Sequence, residues 1–309
     1  MKPHINPKVD CVFKALLGSE AHRALLVHFL NAVLAGDPGI RIQQIELLNP
    51  YNEREFETAK LSVVDVKARD EAGRWYQIEI QLALHAGLTA RMLHTWSAIY
   101  HHQLRKGADF TTLQPVIAIW LLDEPLFPGR GAYHVPFVPY NRDHALTLSD
   151  HLRIDLLQLS EWPGPGEQTD ELDRWLYLFR DGQEVDVATP PALLQSDEMK
   201  EAMDVLQHIS ENQREYLIYQ QRLEAEHLEA TYRKEAAQAK LEIAQAKLDT
   251  AQTKREIAQV KHEIAQVKKQ AKLAKQQADA AQQQAEQERQ EKERLLRLLK
   301  QAGIDPTPS

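Results

Sequence analysis

The sequence predicts an α/β globular part followed by a long C-terminal α-helical coiled coil. Three observations predict it. Up to about Leu159, segments with apolar residues at helical spacing alternate with short β-branched or alternating runs. From Ser196 to Ala302 there is no glycine or proline. Within that stretch, "EIAQAKL", "DTAQTKR", "EIAQVKH" and "EIAQVKK" follow one another from Glu242 to Lys269 with a strict period of seven. The expected organisation is a globular domain over 1–165, a loop-rich connection with a short helix over 166–198, a long helical region over 199–303, and a disordered tail over 304–309.

In "NPKVDCVFKALLGSEAHRALLVHFLNAVLAG", Val12, Leu16, Leu25, Phe29 and Val33 sit at helical spacing. Two helices are expected, broken near Gly18 and Ser19 and stopped at Gly36. "IRIQQIELLNP" reads as a strand ending at Pro50. A polar stretch from Tyr51 to Ala59 leads into "VVDVKARDEAGRWYQIEIQ", whose alternation gives two strands around "DEAG". Leu88 to Lys106 reads as a helix stopped by Gly107. "QPVIAIWLLD" suits a buried strand. Pro125 to about Gly166 reads as loops with room for one short helix, Asp170 to Arg180 as a helix, and Pro190-Pro191 as a break.

The heptads place Ile243, Thr250, Ile257 and Ile264 at position a, and Ala246, Thr253, Val260 and Val267 at d. Ala271, Ala274, Ala278 and Ala281 continue the phase, and Leu295 and Leu299 rejoin it. Glu242, Asp249, Glu256 and Glu263 fall at g, and Lys247, Lys254, Lys261 and Lys268 at e. In a parallel pair each g acid meets an e lysine five residues on; in an antiparallel pair g faces g and repels. A lone solvated helix would lean on acid–base pairs three or four residues apart, and this block lacks them. A homo-oligomer joined by a parallel coiled coil over 242–299 is therefore expected, with modest affinity because Ala and Thr replace Leu in its core.

The net charge of -8 argues against a broad basic coat for nucleic acid. Cys11 is the only cysteine, so no internal disulfide forms and a cysteine zinc site is disfavoured. No charged-then-apolar leader and no bilayer-length apolar run is found, so a cytoplasmic location away from membranes is expected. No His-x-x-x-His pair on a common face, phosphate-binding glycine loop or nucleophile elbow stands out, which disfavours zinc catalysis, ATP use and serine hydrolysis.

The hairpin carries the chemistry. A three-residue loop Glu71-Ala72-Gly73 puts glycine where a left-handed backbone is needed, and Asp70 then pairs with Arg74. Counting back, Asp65 falls opposite Glu79 and Lys67 opposite Gln77. Asp65, Lys67, Glu79 and Gln81 share one face; Val64, Val66, Ile78 and Ile80 share the other. Directly paired residues hold their Cβ atoms roughly 4.5–5.5 Å apart. Two carboxylates at that spacing repel unless a cation lies between them or one keeps its proton. A hard divalent ion with oxygen ligands, Mg²⁺ most simply, resolves the conflict; solvation on an outer face is the plain alternative. Helices on either side of the hairpin and the apolar run after it place the acids in a covered sheet, where they need a reason.

Asp65 followed by Glu79-Ile80-Gln81 resembles the PD-(D/E)XK nuclease pattern, with Gln81 in place of the usual lysine. With "NPKVDCVFKALLG", "KLSVVDVKARDEAGRWYQIEIQ" and "RMLHTWSAIYHHQLRKGADFTTLQPVIAIWLLD", the chain resembles the Rpn family of recombination-promoting nucleases, often labelled transposases. The likeness spans about Asn6 to Asp123. It implies a mixed central sheet with helices on both sides, and metal-dependent hydrolysis of DNA phosphodiesters that promotes recombination or serves mobile elements. It also implies Asp65 and Glu79 as Mg²⁺ ligands helped by the Ile80 carbonyl, Gln81 orienting the attacking water, and Asp10 as an outer ligand. Arg91 and Tyr100 match family positions without a role legible from spacing.

Gln81 brings no charge, so Lys67 is the candidate for the positive group; a surface lysine balancing the acids is the rival. For Asp10 the rival is a helix N-cap or an ion pair with Lys14, four residues on. Arg105 and Lys106, beside His101 and His102, either touch phosphates or favour a helix C-terminus. The expected activity is a Mg²⁺-dependent DNA endonuclease. A catalytically weak nuclease fold serving as a DNA-binding or adaptor module is the alternative, supported by the acidic balance and Gln81. A purely structural coiled-coil protein is disfavoured, because it leaves the polar face of the hairpin without a purpose.

Overall fold

The computed structural model describes residues 4–37, 39–49, 65–186 and 189–301. Contacts divide the chain into two compact units, 1–231 and 232–309.

In the first unit the N-terminal run forms α1 (Asp10–Leu17) and α2 (Arg23–Val33), separated at Gly18 and Ser19 as the sequence expects. Ser19 Oγ accepts the Ala21 amide and so opens a short 3₁₀ turn between them. The next elements are β1 (Ile45–Leu47), β2 (Val66–Asp70) and β3 (Trp75–Gln81), all antiparallel neighbours. The β2–β3 turn has the expected form. Gly73 is left-handed at φ 86, its amide donates to the Asp70 carbonyl at 3.0 Å, and the Asp70 amide donates to the Arg74 carbonyl at 3.1 Å. Residues 51–59 and Val64 lie outside the described residues, as does the expected tail.

After β3, α3 (Leu88–His102) crosses over to β4 (Val116–Leu122), which lies parallel to β3. All seven residues of β4 are buried, which is why its sequence is apolar throughout rather than alternating. The region expected to be loops departs from that reading. It contains β5 (His134–Phe137), the small β6 (Tyr140–Asn141) and β7 (Leu146–Thr147) ribbon, and β8 (Leu152–Gln158). The main sheet runs β1-β2-β3-β4-β8-β5 and is mixed, with β8 parallel to β4 and antiparallel to β5. Arg153 and Asp155 disguise β8 by placing charge on a face that is buried. Pro136 fits in β5 because that strand is an edge and can spare a donor.

Two apolar layers cover the sheet. One joins Val66, Tyr76, Ile78, Ile80, Ile117, Ile119 and Leu121 to α1, α2, α4 (Glu171–Asp181), α5 (Asp197–Glu211) and Tyr219 at the start of α6 (Gln213–Gln301). The other joins Ala118, Trp120, Leu122, Ile154 and Leu156 to Leu88 and Met92 of α3. The helices after residue 165 thus share the core of the sheet. Asp170 starts α4 with a reciprocal capping box to Asp173.

The described part of the second unit is helix to Gln301. Its a and d side chains are exposed, Ile257 at 50% and Val267 at 63%. No helix among the described residues is long and apolar enough to cross a membrane.

Candidate active site

The register of β2 and β3 decides which side chains meet. Val66 pairs with Ile78 and Lys67 with Gln77, so the next position brings Asp65 toward Glu79. Val66, Ile78 and Ile80 enter the α1–α2 layer. Gln77 and Glu79 turn the other way, under α3, and are 0% and 1% exposed. For Val66, Ile78 and Ile80 against Gln77 and Glu79 the division of faces is the one the alternation predicts.

Asp65 sits where the chain enters β2. Its Oδ2 accepts the Ile80 amide at 3.1 Å, and its Oδ1 lies 3.4 Å from Lys14 Nζ of α1. Glu79 Oε2 lies 3.5 Å from Arg91 of α3, and Glu79 Oε1 accepts from Gln77 Nε2 at 3.3 Å. Gln77 also donates to Thr95 Oγ1 at 3.0 Å, which ties the strand to α3. Burial, then the Asp65 charge, pushes the Glu79 carboxyl up to about 8; Arg91, Gln77 and the Asp65 amide pull it back in part. Burial also raises Asp65, against Lys14 and the Ile80 amide. Both shifts favour keeping a proton on the pair, one of the two resolutions that close carboxylates allow.

Gln81 Nε2 donates to the Ile80 carbonyl at 2.8 Å, and its Oε1 lies 3.4 Å from Arg91. Asp10 opens α1, with Oδ2 3.9 Å from Lys14 Nζ. It reaches Asp65 through that lysine, so the Asp10–Lys14 ion pair and the neighbourhood of Asp65 coexist. Lys67 does not take the place expected of it. Its ammonium lies 5.0 Å over the Trp75 ring, and among the described residues it makes no ion pair with either acid. The indole face holds it on its own strand pair. The cations that reach the carboxylates are Lys14 and Arg91.

Sequence reasoning left these two without a site role, and Gln77 as well. Gln77 was legible by period two, since it lies between Trp75 and Glu79 on the same face. Lys14 and Arg91 come from helices on opposite layers, and no local spacing encodes that convergence.

The donor set suits a hard cation: two carboxylates with raised proton affinity and one backbone carbonyl, at Ile80. Among the described residues no group of three or more His, Cys, Asp or Glu side chains is assembled to hold a metal. Mg²⁺ keeps several waters and commonly takes one or two carboxylates, so a two-acid site fits it. Tyr100, a family-matched position, lies apart from this constellation and bonds His151 Nδ1 at 2.8 Å.

Comparison with curated proteins and with solved structures finds no match. A family model does match, described as PD-(D/E)XK nuclease family transposase, over residues 7–237. That span takes in α1, the acid-bearing hairpin, the whole sheet and the start of α6, and on it the chain belongs to the PD-(D/E)XK nuclease family transposases.

Proposed function

We propose that the protein is a Mg²⁺-dependent DNA endonuclease acting in recombination or element mobility, with Asp65 and Glu79 as its metal ligands. The observation that carries this reading is the pair of acids that the β2–β3 register brings toward one another at the hairpin end, Glu79 buried and each beside one cation, in a chain of this nuclease family. Asp65, Glu79 and the Ile80 carbonyl would hold the cation, and Asp10 would act as an outer acid behind Lys14. When bound, the ion would polarise a phosphate oxygen and lower the pKa of its water.

The chain's own groups would do the rest. Arg91, which bridges Glu79 and Gln81, would exchange its carboxylate for a phosphate oxygen on substrate binding. Lys14 would supply the positive charge that Gln81 lacks, at the Asp65 side. Gln81 would orient the attacking water through its carboxamide, which both donates and accepts. Pairing of two chains through a parallel coil over 242–299 would bring two sites to one duplex.

Plasmid nicking tests the reading. Wild type cuts with Mg²⁺, while Asp65→Ala and Glu79→Ala lose activity by at least about a hundredfold. Cutting that survives both substitutions rejects the site. One observation favours the adaptor alternative: each carboxylate already has a cationic side-chain partner, Lys14 or Arg91. Wild-type protein that binds DNA but leaves it intact across divalent ions would establish that alternative.

A further inference from the structure

The crossover helix α3 turns an acid-free face outward. From Ile80 to Ala108 the sequence has neither Asp nor Glu, although the chain carries 45 acids and a net charge of -8. The same stretch carries Arg91, Arg105, Lys106 and the histidines 85, 94, 101 and 102. Leu88, Met92, Thr95 and Ile99 are buried, and Trp96 Nε1 donates to the Val116 carbonyl at 2.9 Å, so the sheet fixes the roll of the helix. Ala90, Leu93, His94, Ser97, Ala98 and His101 are left exposed. All but Leu93 are small or imidazole side chains. Arg91 stands at one end of this face, beside Glu79 and Gln81. His101 and His102 close the other end, and Arg105 and Lys106 follow in an exposed turn. Arg23, Arg69 and Arg74 each pair with an acid. By contrast, among the described residues the side chains of His94, His101, His102, Arg105 and Lys106 have no hydrogen-bond or ion-pair partner. Arg105 and Lys106 therefore do not serve the last carbonyls of α3.

We infer that the exposed face of α3 is the track on which the protein holds the backbone of duplex DNA, with Arg105 and Lys106 gripping phosphates at the end far from the acids. As a path to the reacting bond this rests on the nuclease reading above; as a binding surface it does not. From Arg91 to His102 the helix rises about 16 Å at 1.5 Å per residue, which spans about five nucleotides of one strand. Alanine and serine let a backbone approach closely, and an imidazole N–H donates to a phosphate oxygen whether the ring is neutral or charged. A missing acid matters as much as a present cation, because one carboxylate on this face would repel the polyanion in a chain already negative overall. Contacts of this kind fix where the duplex lies and read no sequence. Duplex DNA suits the face because the unpaired donors lie along a straight rod that ends at the acids proposed to hold the metal.

The test is fluorescence anisotropy of a fluorescein-labelled DNA duplex titrated with the full chain in EDTA, where no cutting occurs, from about 50 to 200 mM salt. Arg105→Ala with Lys106→Ala flattens the slope of log Kd against log salt by about two and weakens binding at the lowest salt about tenfold. Ala98→Glu, which sets one acid in the middle of the face, weakens binding about tenfold, while Ala98→Gln, of the same size, binds as wild type does. A salt slope unchanged in the double variant overturns the inference. So does equal binding by Ala98→Glu and Ala98→Gln, and so does a wild type that leaves the duplex unbound at the lowest salt. If the double variant does not fold, the Ala98 pair decides. Nicking by wild type with Mg²⁺ beside an unchanged slope removes the track and leaves the nuclease reading standing. A flattened slope in a protein that never nicks DNA supports the track and sinks only the nuclease reading.

Discussion

The Ile80 amide donates to Asp65 Oδ2 at 3.1 Å, one residue beyond the acid that Asp65 faces. The hydrogen bond anchors the Asp65 carboxylate at the hairpin end. A contact of this kind requires strand register. A one-residue slip would move Glu79 to the apolar layer.

The raised Glu79 carboxyl makes stability fall as pH rises. The folded state keeps a proton up to about pH 8 that the unfolded chain releases near the ordinary glutamate value of 4.5. The folded form thus binds more protons in that window. The stabilisation is complete below about 4.5 and is lost through 8, with a slope of at most about 1.4 kcal/mol per pH unit. Asp65 shifts in the same direction and adds to the trend. Urea unfolding of metal-free protein from pH 5 to 9 measures it. Glu79→Gln flattens the profile and is the more stable form at pH 9.

The divalent binding proposed for this pair has the opposite pH dependence. A cation must displace the retained proton, so the Mg²⁺ concentration for half-maximal thermal stabilisation falls as pH rises from 6 to 8. Arg91→Met removes the guanidinium that helps ionise Glu79, which pushes its carboxyl higher still and moves the midpoint of this dependence to higher pH. Calorimetric titration with Mg²⁺ at three pH values checks both statements; affinity independent of pH would remove the protonated pair from the account.

The hairpin was legible because everything about it is local. The loop glycine fixes the turn, the turn fixes the pairing, and period two then sorts Asp65 and Glu79 from Val66 and Ile78. Strand β8 was not legible, because its signal is the reverse of the usual one. Arg153 and Asp155 read as surface residues, yet Asp155 is fully buried and satisfied by His134 at 2.8 Å and by Arg153 at 2.7 and 3.0 Å. Such pairs are settled by neighbouring strands, here β5, and not by the local pattern. The same holds at the site, where Lys67 is nearest in sequence but Lys14 and Arg91 arrive through packing.

Removing the Asp155 charge therefore costs stability despite its polar character. Its partners, His134 and Arg153, hold the carboxyl below its ordinary range against the cost of burial. The stabilisation is present above the unfolded value near 3.8 and is lost as pH falls through the lower folded value. Asp155→Asn leaves the Arg153 guanidinium with only Asp37, at 3.1 Å, and destabilises the fold by about 3 kcal/mol at pH 7. The difference from wild type shrinks toward pH 3. Denaturant midpoints at the two pH values measure it, and a variant equal to wild type at pH 7 would reduce the network to decoration.

Pairing of the heptad helix should respond to both seam and charge. Ile257 and Ile264 stand 50% and 49% exposed in the chain by itself, so a parallel partner would bury the side chains that most favour association. Ile257→Lys with Ile264→Lys places like charges at a positions and gives a monomer in sedimentation of the full chain. Glu256→Lys with Glu263→Lys sets lysine against lysine across g and e, with a cost that salt reduces because these pairs are solvated. The antiparallel arrangement predicts otherwise. There the g acids face one another, and changing some of them to lysine would relieve repulsion and tighten the pair. The sign of the Glu→Lys effect on self-association at low salt thus decides the orientation, and with it whether two sites approach one duplex from the same end of the coil.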